Sequence, residues 1–254
     1  MMKATSTERF GYEWGIYRNV LPEYEEQFKK WIFPLAIEQL KGKVILDAGC
    51  GMGRNSYWCL KYGAKKLVAF DFDIRTVNSA KRTLKGFLNA RVEYRSIYDI
   101  DYKDKFDIVI CIGVLHHLDR PKDAIKKLKS VLKQDGTLLV WVYGYENNER
   151  LILLLSLVKS LTSRLPIFFT HMIGFYASMP LFVYLRLASP RGEYLRLMKK
   201  FSFYHVHSIV FDQLLPRIAR YYKKGQALDL LRDMQNVRIS HTNNNSWTVV
   251  GQKA

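Results

Sequence analysis

Short apolar runs alternate with amphipathic stretches through the first 142 positions of the chain. Val44-Ile45-Leu46, Leu67-Val68-Ala69-Phe70, the pair Val92 and Tyr94, Phe106 to Ile112 and Thr137 to Val142 read as buried strands. Between them lie helical patterns, the clearest carrying Ile125, Leu128, Val131 and Leu132 on one face after Pro121, a residue suited to a first helical turn. A leading helix is expected over 23–40, and Gln134-Asp135-Gly136 is expected to form a turn. This alternation predicts parallel βαβ units with helices on both faces of one sheet. Near the end, a helix around 227–234 precedes two strands, 237–241 and 246–250. Thr242-Asn243-Asn244-Asn245 joins them, and asparagine tolerates positive φ, so the pair reads as a hairpin.

The pattern changes between residues 149 and 203. Residues 151–158 are almost wholly apolar, and 165–185 hold no Lys, Arg, Asp or Glu over 21 positions, long enough to cross a bilayer. A single crossing would separate the final hairpin from its sheet, and Pro166, Gly174 and Pro180 are expected to interrupt the run. Two or three amphipathic helices forming a cap over the site are predicted instead. The divisions are an aromatic arm and helix at 1–42, a core at 43–148, a helical cap at 149–203 and a return to the core at 204–254.

Charge sharpens the picture of the cap. The net charge is +17, and its densest excess falls in 150–200, where eight Lys or Arg face one acid. Such a surface suits nucleic acid, anionic lipid or an acidic small molecule, and a plain solvated face stays open. The cap encloses a small substrate, forms a homodimer contact, or rests peripherally on an anionic membrane. Cys50, Cys59 and Cys111 form no C-x-x-C pair and read as reduced thiols, so neither disulfides nor a metal is expected. The opening residues lack the apolar core of a secretory signal, and a cytoplasmic location, peripheral at a membrane under the last alternative, is expected.

The chemistry concentrates at Asp47-Ala48-Gly49-Cys50-Gly51-Met52-Gly53. Glycines at alternate positions after a buried strand remove every Cβ that would block a nucleoside cofactor. The dinucleotide fingerprint G-x-G-x-x-G loses support because Arg54 occupies its third glycine position. Asp71 ends the second strand 22 residues after Gly49, placed to accept from both ribose hydroxyls; either Asp71 or Asp73 can cap the helix that follows.

The loop resembles the D/E-x-G-x-G-x-G motif of class I S-adenosylmethionine-dependent methyltransferases. Phe106-Asp107-Ile108-Val109 with Gly113-Val114-Leu115-His116-His117-Leu118, Pro121 and the helix beyond resembles the type 11, quinone-methylase-like branch. The resemblance covers 43–142 and implies a doubly wound, Rossmann-like α/β fold with a seven-stranded, mostly parallel sheet closed by an antiparallel hairpin. It implies S-adenosyl-L-methionine as cofactor, held by Asp47, Gly49, Gly51, Gly53, Asp71, Phe72, Cys111 and Gly113. At the adenine position this sequence departs from the family's usual acid: Ser96 stands there, beside Ile97, with Asp99 as the alternative acceptor. Tyr12 and Trp14, in the arm, are candidates for a lid over the sulfonium.

Methyl transfer is an in-line displacement that needs alignment and exclusion of water. A base is needed only for a protonated acceptor. His117 is the first candidate, then His116 and Tyr143, with His205 and His207 behind them. The acceptor expected is a small, hydrophobic or lipid-like molecule methylated at oxygen. RNA or another nucleic acid is the alternative, prompted by charge, although the loop after the fourth strand lacks Asn/Asp-Pro-Pro-Tyr and Pro-Cys motifs. A non-catalytic cofactor-binding protein is the remaining reading.

Overall fold

The computed structural model describes Tyr12 and residues 19–162, 165–214 and 219–254. Its centre is a seven-stranded sheet in the order β3-β2-β1-β4-β5-β7-β6. The strands are β1 (Val44–Ala48), β2 (Lys66–Asp71), β3 (Ala90–Tyr94), β4 (Phe106–Ile112), β5 (Leu132–Tyr143), β6 (Gln235–Thr242) and β7 (Ser246–Gln252). The first five run parallel, while β7 runs antiparallel to both β5 and β6. Asn243 and Asn244 both take positive φ, 52° and 57°, and turn β6 into β7.

Helices cover both faces, which is why the central strands are apolar at successive positions. Leu46, Val68, Val109 and Leu138 pack on one side with Leu128 and Val249. Their neighbours Ile45, Leu67, Ile110 and Leu139 pack on the other with Phe28 and Leu60. These faces are supplied by α1 (Glu23–Ile32), α2 (Arg54–Lys61), α3 (Ile74–Thr83) and α4 (Pro121–Ser130). Strand order reverses at β1, whose neighbours are β2 and β4, so a crevice opens beyond the carboxyl ends of these strands.

Two local expectations are corrected. The leading helix stops at Ile32 rather than Leu40: Phe33 is extended before Pro34, and only a short 3-10 turn, Ile37–Leu40, follows. The turn expected at 134–136 lies within β5, where the pairing register with β4 shifts and Asp135 takes φ 60°.

Beyond β5 come α5 (Glu149–Thr162), α6 (Ile167–Leu187), α7 (Glu193–Lys199), α8 (Phe203–Leu214) and α9 (Lys224–Asp229). Pro166 precedes α6, but Gly174 and Pro180 do not interrupt it. Pro180 is exposed, so the hydrogen bond it removes falls on the outer side of the helix. Nor is α6 amphipathic in the expected sense. Its buried residues are Thr170, Gly174, Ser178 and Leu185, with Leu181 and Phe182 packed beside Leu185, while about half of its large apolar side chains are exposed. Inward it rests on α8: a Cβ at Gly174 would sit 3.5 Å from both the His207 ring and Phe211.

Candidate functional site

A cavity of about 820 Å³ fills the crevice at the strand ends. It lies in the upper range of small-molecule sites, wide enough for a nucleoside cofactor and part of a second molecule. The loop after β1 forms one wall. Gly49 and Cys50 donate their N–H groups to the Phe70 carbonyl, both at 2.9 Å, binding the loop to the end of β2. Gly49 has φ 74°, and a Cβ there would lie 2.4 Å from Val114 Cγ2, so neither backbone nor space admits a side chain.

Asp71 stands at the centre of that wall. Its carboxylate accepts from the Gly51 N–H at 3.1 Å and the Asp73 N–H at 3.2 Å. Burial pushes its pKa up to about 6, against the lowering effect of those N–H groups. Asp73 is the helix cap, accepting from the Arg75 and Thr76 N–H groups, which leaves Asp71 to the cavity.

The remaining predicted cofactor residues divide. Gly49, Gly51, Phe72, Ser96, Ile97 and Gly113 line the cavity. Phe72 is exposed and stacks on Tyr94 with centroids 5.8 Å apart. Ser96 accepts the Tyr98 N–H at 3.2 Å. Asp99, its alternative, is exposed and outside the lining.

Asp47, Gly53 and Cys111 do not line the cavity. Asp47 is buried behind the loop and accepts from Ser56 Oγ at 2.6 Å, tying β1 to α2; burial, then the charge of Asp71, raises its pKa to about 7. Gly53 precedes α2 with φ 85°, and a Cβ there would lie 3.2 Å from Ala80 Cα, so it serves the contact of α2 with α3. Cys111 points into the sheet core, where burial raises its thiol pKa. Nor does Tyr12 line the cavity: its ring meets His171 of α6 and Phe211 of α8 edge-on. Trp14 lies outside the described residues.

The opposite wall comes from residues that the sequence did not single out for the site. Gln27 and Trp31 of α1, Arg54 of α2, Tyr194 of α7, and Ser208, Ile209, Asp212 and Gln213 of α8 all line the cavity. Arg54 lies over the rings of Tyr24 and Trp31, at 4.5 and 5.0 Å. Tyr143 Oη donates to Asp212 Oδ2 at 3.0 Å and accepts from Gln213 Nε2 at 3.0 Å. Burial, then the Asp212 charge, drives the Tyr143 pKa well above the usual phenol range, so the phenol keeps its proton and cannot be a base at neutral pH.

Of the two neighbouring histidines, His117 lines the cavity and His116 does not. His116 is fully buried and stacks on Tyr143, centroids 3.9 Å apart. Arg220 fixes this loop by donating its backbone N–H to the His116 carbonyl at 2.9 Å and its side chain to the Leu118 and Asp119 carbonyls. His205 and His207 lie on α8, buried and absent from the lining, each with a pKa lowered to about 4, chiefly by burial.

Residues 45–136 match a family described as methyltransferase domain. A tRNA U34 carboxymethyltransferase of Campylobacter hominis is 37% identical over 114 residues, covering 44% of this chain and 40% of that protein. One from Helicobacter pylori is 33% identical over 117 residues, covering 44% of each. The chain thus spans less than half the length of these curated relatives. Two solved structures share the fold. Magnesium protoporphyrin IX methyltransferase from Synechocystis with bound SAH aligns with 99% of this chain and 96% of its own at TM-score 0.57 and 15% identity. An O-methyltransferase family protein from Burkholderia thailandensis aligns with 100% of this chain and 64% of its own at TM-score 0.61 and 10% identity.

The expected small, hydrophobic or lipid-like acceptor does not survive these findings, because the curated relatives are named for tRNA. What fold, glycine loop and domain match jointly establish is that the chain carries a class I S-adenosylmethionine-dependent methyltransferase domain, consistent with the type 11 branch, whose cofactor is S-adenosyl-L-methionine.

Proposed function

We propose that this domain transfers a methyl group from S-adenosylmethionine to a base of RNA. The observation that carries the reading is the similarity to the tRNA U34 carboxymethyltransferases, 37% identical over 114 residues in one case. A net charge of +17 supports it, since phosphate neutralisation supplies much of the affinity for nucleic acid. So do the rings of Trp141, Tyr143, Tyr194 and His117 in the cavity wall, because an unstacked base needs aromatic faces to receive it. We place the enzyme in the cytosol with its RNA; Cys50, Cys59 and Cys111 are free, buried thiols that suit that compartment.

When bound, S-adenosylmethionine supplies an electrophilic methyl carbon on a sulfonium. In this reading Asp71 would accept from the ribose hydroxyls, Ile97 and Ser96 would hold the adenine, and Arg54 would hold the methionine carboxylate. Methylation of a protonated acceptor heteroatom would release a proton. His117 takes that proton. Asp212, held by Tyr143 and Gln213, accepts an N–H from the edge of the base and so positions it. The amide of Gln213 offers both a donor and an acceptor to the same edge.

Incubating the protein with methyl-labelled cofactor and separate tRNA, lipid and small-metabolite fractions tests the reading. Label is expected in tRNA, with RNA binding that weakens steeply as salt rises. His117→Asn is expected to slow transfer by roughly 10²-fold to 10⁴-fold with cofactor affinity unchanged. Asp212→Asn is expected to act mainly through the KM for RNA. Label confined to another fraction, with no salt-dependent binding of RNA, would overturn the assignment.

A further inference from the structure

The outer face of α6 is inverted relative to every helix that packs on the sheet. Phe168, Phe169, Tyr176, Met179, Val183 and Leu187 recur at helical spacing along one arc and are all exposed, Tyr176 at 63% and Leu187 at 84%. The opposite arc, which meets α8, mixes small and polar residues with Ile167, Leu181 and the buried Leu185. There Thr170 donates to the Thr162 carbonyl at 3.2 Å, Ser178 donates to the Gly174 carbonyl at 2.6 Å, and His171 and His207 approach within 3.3 Å. A water-facing helix carries polar residues on such an outer arc. Among the described residues α6 is the one helix long and apolar enough to cross a membrane, and little of its length is buried.

Crossing is excluded by the sheet. The chain leaves it at β5, passes through α5 to α9, and returns to pair β7 directly with β5, Leu139 opposite Val250. Both ends of α6 therefore remain on one side of any bilayer. A helix of 21 residues extends about 30 Å, a length that can lie in the plane of a membrane surface.

Charge selects the occupant. Arg191 and Arg196 are exposed just beyond α6, and residues 150–200 hold eight basic residues against one acid. Basic residues flank the apolar run on both sides, Lys159 and Arg164 before it, Arg186 and Arg191 after it. A second copy seated on the stripe would bring like charges together in either antiparallel or parallel register. Anionic headgroups meet the same fringe with opposite sign, and the ring of Tyr176 suits the boundary between headgroup and acyl chain. We infer that α6 docks this protein in the plane of an anionic lipid bilayer, with its apolar arc in the acyl boundary and its basic fringe on the headgroups.

The inference is independent of the acceptor, because α8 lies between α6 and the cavity. The intact chain should be sedimented with neutral phosphatidylcholine vesicles and with vesicles that also contain phosphatidylglycerol. Binding is expected to the anionic vesicles, at least about tenfold above the neutral ones, and to weaken as salt rises. Arg191→Glu and Arg196→Glu are each expected to lower it by about fivefold or more. Val183→Glu with Leu187→Glu, on the exposed arc, should lower it by more than about tenfold while leaving cofactor binding by calorimetry unchanged. A folded, monodisperse protein that ignores anionic vesicles overturns the inference. So does equal binding to both vesicle types, or a stable dimer that dissociates on Val183→Glu.

Discussion

The sheet core and the cap use apolar residues in opposite ways. In the core they are inside: Leu138, Val140 and Val109 are completely buried, and the polar groups that matter, Asp71 and the loop amides, line the cavity at the strand ends. In α6 Thr170, Gly174 and Ser178 share the inner side with Leu185, and Phe168, Tyr176, Val183 and Leu187 face out. Hydrophobic content is thus a poor guide to which part of this molecule is inside. The core is held by burial within the chain, whereas the outer face of the cap gains that stabilisation only from something else. Substituting each region separately is the direct way to test the contrast.

The largest effect is expected in the core. Leu138→Ala removes a side chain packed on both α4 and β7 neighbours, and chemical denaturation should show a loss of about 2 to 5 kcal/mol. A loss below about 1 kcal/mol would mean that the sheet face is looser than its burial indicates.

Next comes Asp71, a polar group doing at the strand ends what apolar groups do beneath them. Asp71→Ala should weaken cofactor binding by about 1.5 to 3 kcal/mol, the range for hydrogen bonds to a charged group. With a pKa near 6, the carboxylate is ionised above that pH and can then accept from both ribose hydroxyls. Cofactor affinity in the parent protein should therefore rise as pH increases through 6, and calorimetry should find that step missing in Asp71→Ala. A pH-independent affinity in the parent would remove Asp71 from the ribose contact.

Buried acids also set how stability depends on pH. Asp47 and Asp71 have folded pKa values of about 7 and about 6, above the roughly 3.9 of an unfolded aspartate. Between about pH 4 and pH 7 the folded state binds more protons than the unfolded state. The stabilisation is complete below the unfolded pKa and is lost as pH rises through the folded values. Unfolding free energy of the cofactor-free protein should fall by at most about 1.4 kcal/mol per pH unit for each acid. Asp47→Asn should flatten that slope near pH 7. An unchanged slope in the variant would assign the dependence to other groups.

How far the sequence revealed each region follows from the range of the interactions involved. Glycines at alternate positions and an acid at the end of β2 are local signals, and they located the loop and Asp71. Burial behind the loop was not local: Asp47 and Gly53 belong to the same motif, yet Ser56 and Ala80 draw them away from the cavity. Asp212 and Gln213 were invisible because they meet Tyr143 from about seventy positions away, and periodicity reveals the face of a helix without revealing what lies across from it. Composition flagged α6 by its missing charges, but Gly174 and Pro180 were overread as breaks. Whether an apolar helix faces in or out depends on which residues its neighbour supplies. Here α8 brings His207 to Ser178, which sends Val183 and Leu187 outward.

The smallest effect is expected on that outward face. Leu187 is 84% exposed, so Leu187→Ser removes almost no buried surface in the isolated chain, and denaturation in buffer should change by no more than about 0.5 kcal/mol. Leu138→Ala and Leu187→Ser both remove an apolar side chain, and composition alone would rank them alike. A several-kcal/mol difference between them is what opposite orientation requires. The same pair compared with anionic vesicles present adds the missing partner: Leu138→Ala should keep its deficit, while Leu187→Ser should now fall behind the parent, because the bilayer stabilises only a folded chain with its apolar arc intact. If Leu187→Ser already destabilises the protein in buffer as strongly as Leu138→Ala, α6 is buried in solution and the contrast between core and cap collapses.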